Sequence, residues 1–170
     1  MKKENNTAFI DAQNLYLWTD SENWKIDFKK FRIYLRDKFK VNEAYFFLWF
    51  LDEEQQDLYK NVQKAWFIIE FREHTSHMKW KKKWNVDVDI VFEIMRKLKE
   101  EKDFDKIVLV TGDWDYIKMV DYLIKNGLLK KILFPNKQYS SLYNKIKKDY
   151  WMNLWVNRVR KIIEYKNKQK

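Results

Sequence analysis

Acidic residues recur in three short motifs of a kind that can hold a hard cation. They are Phe9-Ile10-Asp11-Ala12-Gln13-Asn14, Asn85-Val86-Asp87-Val88-Asp89 and Leu109-Val110-Thr111-Gly112-Asp113-Trp114-Asp115. Carboxylates brought together repel one another unless a cation neutralises them, and oxygen donors suit Mg²⁺ or Mn²⁺. Other chemistries lack their parts. The chain has no cysteine, which excludes disulfides, thiolate metal sites and a cysteine nucleophile. His74 and His77 could pair as ligands, but no soft third ligand accompanies them, so zinc is not expected. There is no glycine-rich phosphate loop, dinucleotide fingerprint or Gly-x-Ser-x-Gly elbow. Asp11-Ala12-Gln13 also lacks the second aspartate of a phosphoaspartate hydrolase.

Two of the acidic motifs follow apolar runs, Ala8 to Ile10 and Ile107 to Val110, that read as buried parallel strands. Open α/β sheets bind ligands beyond the carboxyl ends of their strands, so Asp11 and Asp113 should share one crevice. Further strands are expected over Glu43–Leu51, Phe67–Phe71 and Lys131–Phe134, the last stopped by Pro135. Asp27 should cap a helix presenting Phe28, Phe31, Leu35 and Phe39. Helices are also expected over Glu53–Ala65, Val86–Glu101 and Tyr116–Asn126, with basic helices over Ser140–Lys148 and Met152–Tyr165. This alternation predicts an α/β fold with a mostly parallel sheet of about five strands.

Helical spacing separates the acids of the middle motif. Val88, Val91, Phe92 and Met95 form the expected buried stripe, and Asp87 lies beside it in the first turn. Asp89 falls about 200° further round, on an expected solvated face with Glu93, Arg96, Lys97 and Glu100. Each motif also has a plainer use. Asp113 or Asp115 could cap the following helix, Asp11 could close a strand-end turn, and Asp87 could favour a helix start. The three together favour a site. Asn14 could orient Asp11 or a bound water, or cap a helix; Thr111 could hold a carboxylate or phosphate, or simply pack.

The 170 residues suit one domain, and the 46% apolar content marks a globular chain. No apolar run reaches the ~20 residues of a membrane span, and no signal core is seen near Met1, so a cytoplasmic protein is expected. The net charge of +10 invites a polyanion, and a basic loop (Lys79, Lys81, Lys82, Lys83) adjoins the second acidic motif. Glycine is scarce: two residues where about a dozen are usual, against nine tryptophans. Trp66, Trp80, Trp84 and Trp114 stand where backbone physics asks for glycine. The expectation is that Trp18, Trp49, Trp66, Trp80, Trp84 and Trp114 are UGA codons meant as glycine; UGG codons there would end it.

The motifs Phe-Ile-Asp-Ala-Gln-Asn-Leu-Tyr, Lys83-Trp84-Asn85-Val86-Asp87 and Val110-Thr111-Gly112-Asp113-Trp114-Asp115-Tyr116 resemble those of NYN domain proteins, the LabA-like branch of the PIN-like ribonucleases. The likeness continues into Tyr139-Ser140-Ser141-Leu142 and the element from Asp149 to Leu154. It implies a three-layer α/β/α domain over 1–157, followed by a basic helix end and tail over 158–170. It implies Mg²⁺ or Mn²⁺ at Asp11, Asp87 and Asp113, with Asp115 a fourth member, Asn14 beside them and Ser140 near the rim. Trp84 and Trp114 fall at family glycine positions. The implied activity is metal-dependent hydrolysis of RNA, with Lys83 and the late lysines gripping the backbone. DNA stays open as a substrate, as does self-association. The rival readings are a non-catalytic nucleic-acid-binding or scaffold module and a small-molecule phosphatase.

Overall fold

The computed structural model describes residues 3–15, 24–48, 53–71, 86–100, 103–137 and 139–166. Its strands are β1 (Asn6–Asp11), β2 (Val41–Leu48), β3 (Ile68–Phe71), β4 (Lys106–Val110), β5 (Leu129–Phe134) and β6 (Trp151–Asn153). The helices are α1 (Phe28–Phe39), α2 (Gln56–Lys64), α3 (Val86–Glu100), α4 (Ile117–Lys125) and α5 (Asn157–Ile163). All strand pairings are parallel, in the order β3-β2-β1-β4-β5-β6. The order reverses between β1 and β4, and that reversal opens a crevice above their carboxyl ends.

Every residue of β1 is buried, because successive side chains enter opposite layers. Ala8 and Ile10 pack with Phe31 and Leu35 of α1, Val62 of α2 and Ile163 of α5. Phe9 faces the other way, among Ile90 and Ile94 of α3 and Val120 and Leu123 of α4. Removing such a ring, as in Phe9→Ala, costs about 3–5 kcal/mol in a packed core. Asp27 caps α1 as its position suggests, its Oδ1 accepting from the Lys30 amide at 3.0 Å. No helix among the described residues is long and apolar enough to cross a membrane.

Three expectations need correction. Among the described residues the sheet has six strands, because Trp151–Asn153 forms a short edge strand that overlaps the start of the stretch read as the last helix. The stretch from Ser140 holds two 3₁₀ turns, Ser141–Lys145 and Lys148–Tyr150, and no α-helix. The third concerns the buried face of α3. Val86, Asp87, Ile90, Ile94 and Lys97 are inward, whereas Val88 and Phe92 are 63% and 65% exposed and Met95 is also outside. Lys97 is drawn in because its ammonium sits 4.5 Å from the Tyr45 ring centroid and 3.9 Å from Glu93. The face read as solvated is thus partly covered, and Asp89 is half-buried on it.

Two helix-to-strand turns share one geometry. After α2, the amide of Trp66 donates to Gln63 O and that of Phe67 to Val62 O. After α4, Gly127 donates to Ile124 O and Leu128 to Leu123 O. This is the helix stop that needs a left-handed residue. Gly127 supplies it at φ 66° and Trp66 at φ 61°, with the indole 68% exposed. Trp114 is different: it lies outside that backbone region and packs edge-on against Tyr143. Trp18, Trp49, Trp80 and Trp84 lie outside the described residues.

Candidate metal centre

β1 ends in Asp11, whose side chain is almost fully buried at the reversal point. The chain then turns into a helical segment over 12–15, and that turn closes on the carboxylate. Asp11 Oδ1 accepts from the Asn14 amide at 3.0 Å, and Oδ2 accepts from Asn14 Nδ2 at 2.7 Å. The hydroxyls of Tyr116 and Thr111 also donate to Oδ2, at 3.2 and 3.5 Å. Burial pushes the Asp11 carboxyl above its ordinary range, while the bonds from Asn14 and Tyr116 pull the other way.

Next to it, β4 runs out through Thr111 and Gly112 to Asp113. The Asp113 amide donates to Thr111 Oγ1, and Asp113 Oδ1 caps the following 3₁₀ turn by accepting from the Asp115 amide at 3.1 Å. Asp113 therefore does perform the capping role open to it, yet its carboxylate still reaches its neighbours. Asp87 enters from the first turn of α3 and is buried. One oxygen from each of Asp87, Asp113 and Asp115 lies within 4.8 Å of the others. Asp11 stands behind this trio, held by its own hydrogen bonds. Burial, together with the charges of Asp11, Asp113 and Asp115, lifts the Asp87 carboxyl to about 6 against the opposing pull of a bond from Tyr116.

Asn14 bridges the two strand ends, since its Oδ1 accepts from the Gly112 amide at 3.3 Å while its Nδ2 serves Asp11. Gly112 lies against Tyr139: a Cβ there would stand 3.3 Å from the Tyr139 Cα and Cβ, so Tyr139 would have to give way slightly. Ser140 joins the site through its backbone, which donates to Gly112 O at 3.1 Å, while its hydroxyl caps the next turn. Lys83 lies outside the described residues.

Sequence reasoning missed two tyrosines. Tyr116 is fully buried and its hydroxyl is shared between Asp11 and Asp87; burial and those carboxylates keep it protonated far above the usual phenol range. Tyr143 donates to the backbone oxygen of Asp113 and is likewise held protonated by burial. The available signal was the spacing: Tyr116 follows Asp113 by three positions, where a helical turn returns to the same side.

Three carboxylate oxygens at this separation suit a small divalent ion, since opposite ligands of Mg²⁺ stand about 4.2 Å apart. A modest closure of the trio would meet that need, and no nitrogen or sulfur donor competes among the described residues.

No curated protein matches the chain. Among solved structures, it is similar to a protein of unknown function from Vibrio parahaemolyticus, with a TM-score of 0.66 and 20% identity over 89% of this chain and 93% of that one. That likeness shows a shared fold. The NYN domain model matches residues 7–150, a span containing both strand ends and all four acids, and the chain therefore belongs to the NYN family of the PIN-like superfamily.

Proposed function

We propose that the protein is a metal-dependent ribonuclease that hydrolyses phosphodiester bonds at the tips of β1 and β4. One observation carries the reading: Asp87, Asp113 and Asp115 converge at the switch point of a parallel sheet. NYN membership supports it, because such domains have a nuclease-type fold and typically bind nucleic acid.

Asp87, Asp113 and Asp115 would hold Mg²⁺ or Mn²⁺, with Asp11 supporting them from behind. When bound, such an ion activates water as a nucleophile and offsets charge on a phosphate. The residues of the chain supply the order. Asn14 fixes Asp11 and ties β1 to Gly112, so the two strand ends cannot drift apart. Tyr116 donates to the buried carboxylates, offsetting part of the cost of their burial. Asp113 and Asp115 face solvent, where a strand of RNA can approach. The net charge of +10 favours that approach.

The test is cleavage of structured and unstructured RNA with Mn²⁺, repeated with EDTA and with single-stranded DNA. Turnover that EDTA abolishes is the expected result. Binding without turnover would leave a nucleic-acid-binding module, and turnover of a simple phosphate ester alone would make it a phosphatase.

A further inference from the structure

A second concavity lies on the same edge of the sheet, with opposite chemistry. Lys137 follows the end of β5 and Trp155 follows the end of β6; with Trp24, Val156, Asn157 and Arg160 they line a cavity of about 290 Å³. No carboxylate is among its described lining residues. The Lys137 ammonium lies 5.5 Å from the Trp155 ring centroid, and the Arg160 guanidinium 5.4 Å from that of Trp24. Arg160 is also braced by Glu164 at 2.7 and 2.9 Å. Trp24 is almost wholly buried and forms a wall, leaving Trp155 as the ring that meets a guest. The Trp155 Nε1 donor is enclosed and has no acceptor among the described residues.

The features together select a guest. The volume sits at the small end of ligand sites and fits one ring system, not a duplex or a helix. An indole offers a stacking face to any base, and the cations suit a phosphate. The end of β6 is two strand spacings from that of β4, about 10 Å, a distance a single strand spans in a few nucleotides. We propose that this cavity binds one nucleotide of a single-stranded RNA whose scissile phosphate lies at the aspartates. Its base stacks on Trp155 and its phosphate is drawn to Lys137 and Arg160. The assignment rests on the nuclease reading for the direction of the strand.

The experiment measures binding of a labelled short oligoadenylate by fluorescence anisotropy in EDTA, where no cleavage occurs. The strand is then remade with one abasic position at a time. Stacking of a base on an aromatic ring is worth about 1–3 kcal/mol, or roughly 5- to 150-fold in affinity. One abasic position should therefore weaken binding several-fold in the unaltered protein. Trp155→Ala should lose a similar factor and become indifferent to that position, while Trp155→Phe keeps most of the effect. Lys137→Ala leaves the ring in place and should weaken binding and reduce its salt dependence, which covers the case in which Trp155→Ala does not fold. Equal effects at every abasic position, or unchanged affinity in both Trp155→Ala and Lys137→Ala, would overturn the assignment. Cleavage with Mn²⁺ is scored separately on the unaltered protein. Cleavage without any abasic signature removes the cavity and keeps the nuclease; the signature without cleavage does the reverse.

Discussion

The tips of β1 and β4 and the tips of β5 and β6 lie on one edge of one sheet, yet they have been made opposite. The first pair gathers four aspartates around a buried tyrosine hydroxyl. The second pair gathers two indoles, a lysine and an arginine. The protein carries a net charge of +10, and yet the influences on the buried carboxyls of Asp11 and Asp87 are burial, hydrogen bonds and neighbouring acids rather than lysine or arginine. The difference teaches that the fold supplies positions while local residue choice supplies the chemistry. An anionic substrate needs both: a place where its charge is offset by an ion, and a place where it is gripped directly.

The largest expected effect comes from Asp113→Asn, which exchanges an anionic oxygen for an amide with little change of shape. Loss of several kcal/mol of charge stabilisation predicts a fall in cleavage of about 100-fold or more. The metal-free melting temperature should stay level or rise, since one source of repulsion is gone. If cleavage survives, the acidic half of the edge is not the reactive half.

Asp87 sharpens the contrast through pH. Its carboxyl titrates near 6 in the folded protein, against a value near 4 for an ordinary aspartate. The folded state therefore holds this proton more tightly, and the resulting stability is full below pH 4 and lost as pH rises through 6. Melting in EDTA should show this loss, and Asp87→Asn should remove that component. Metal affinity should run the opposite way and strengthen as pH rises through 6, because proton and cation compete for the same oxygens.

Tyr116→Phe deletes the hydroxyl shared by Asp11 and Asp87 while keeping the ring. Residues that orient ligands typically matter 10- to 100-fold, so metal affinity by calorimetry should drop about tenfold with the fold intact. Unchanged affinity would reduce Tyr116 to packing. The smallest effect is expected from Asp121→Asn, an exposed acid on α4. Cleavage should be unaltered and stability should move by less than about 0.5 kcal/mol; an effect matching that of Asp113→Asn would mean that net charge matters and position does not.

Much of the frame was legible in the sequence. Strands β1 and β4 are unbroken apolar runs with acids at their exits, and Asp27 announces a helix start. The buried face of α3 was not, because apolar residues occupy both Val86, Ile90 and Ile94 and the competing row Val88, Phe92 and Met95. Periodicity alone cannot choose between such rows; burial of Asp87 and Lys97 on the inner side runs against hydropathy and is fixed by their partners. β6 is three residues long, too short to interrupt a helical pattern, and exists because β5 offers it a free edge. The acids were found by spacing, but the tyrosines between them were hidden, since a buried hydroxyl looks like any aromatic core residue until its acceptors are placed.

The paired turns after α2 and α4 bear on where the molecule opens. A left-handed residue with a side chain carries a cost of roughly 1–2 kcal/mol that glycine avoids. Trp66 sits just before β3, an edge strand that pairs with β2 alone among the described residues. Strain stored beside a strand supported on one side lowers the free energy of local opening there. Amide protons of Ile68 and Ile69 should thus exchange with solvent sooner than those of Leu129 and Ile132, which follow Gly127 into the interior of the sheet. A chain carrying glycine at position 66 would have this seam closed, so the exchange rate of one edge strand reports which residue the ribosome placed there.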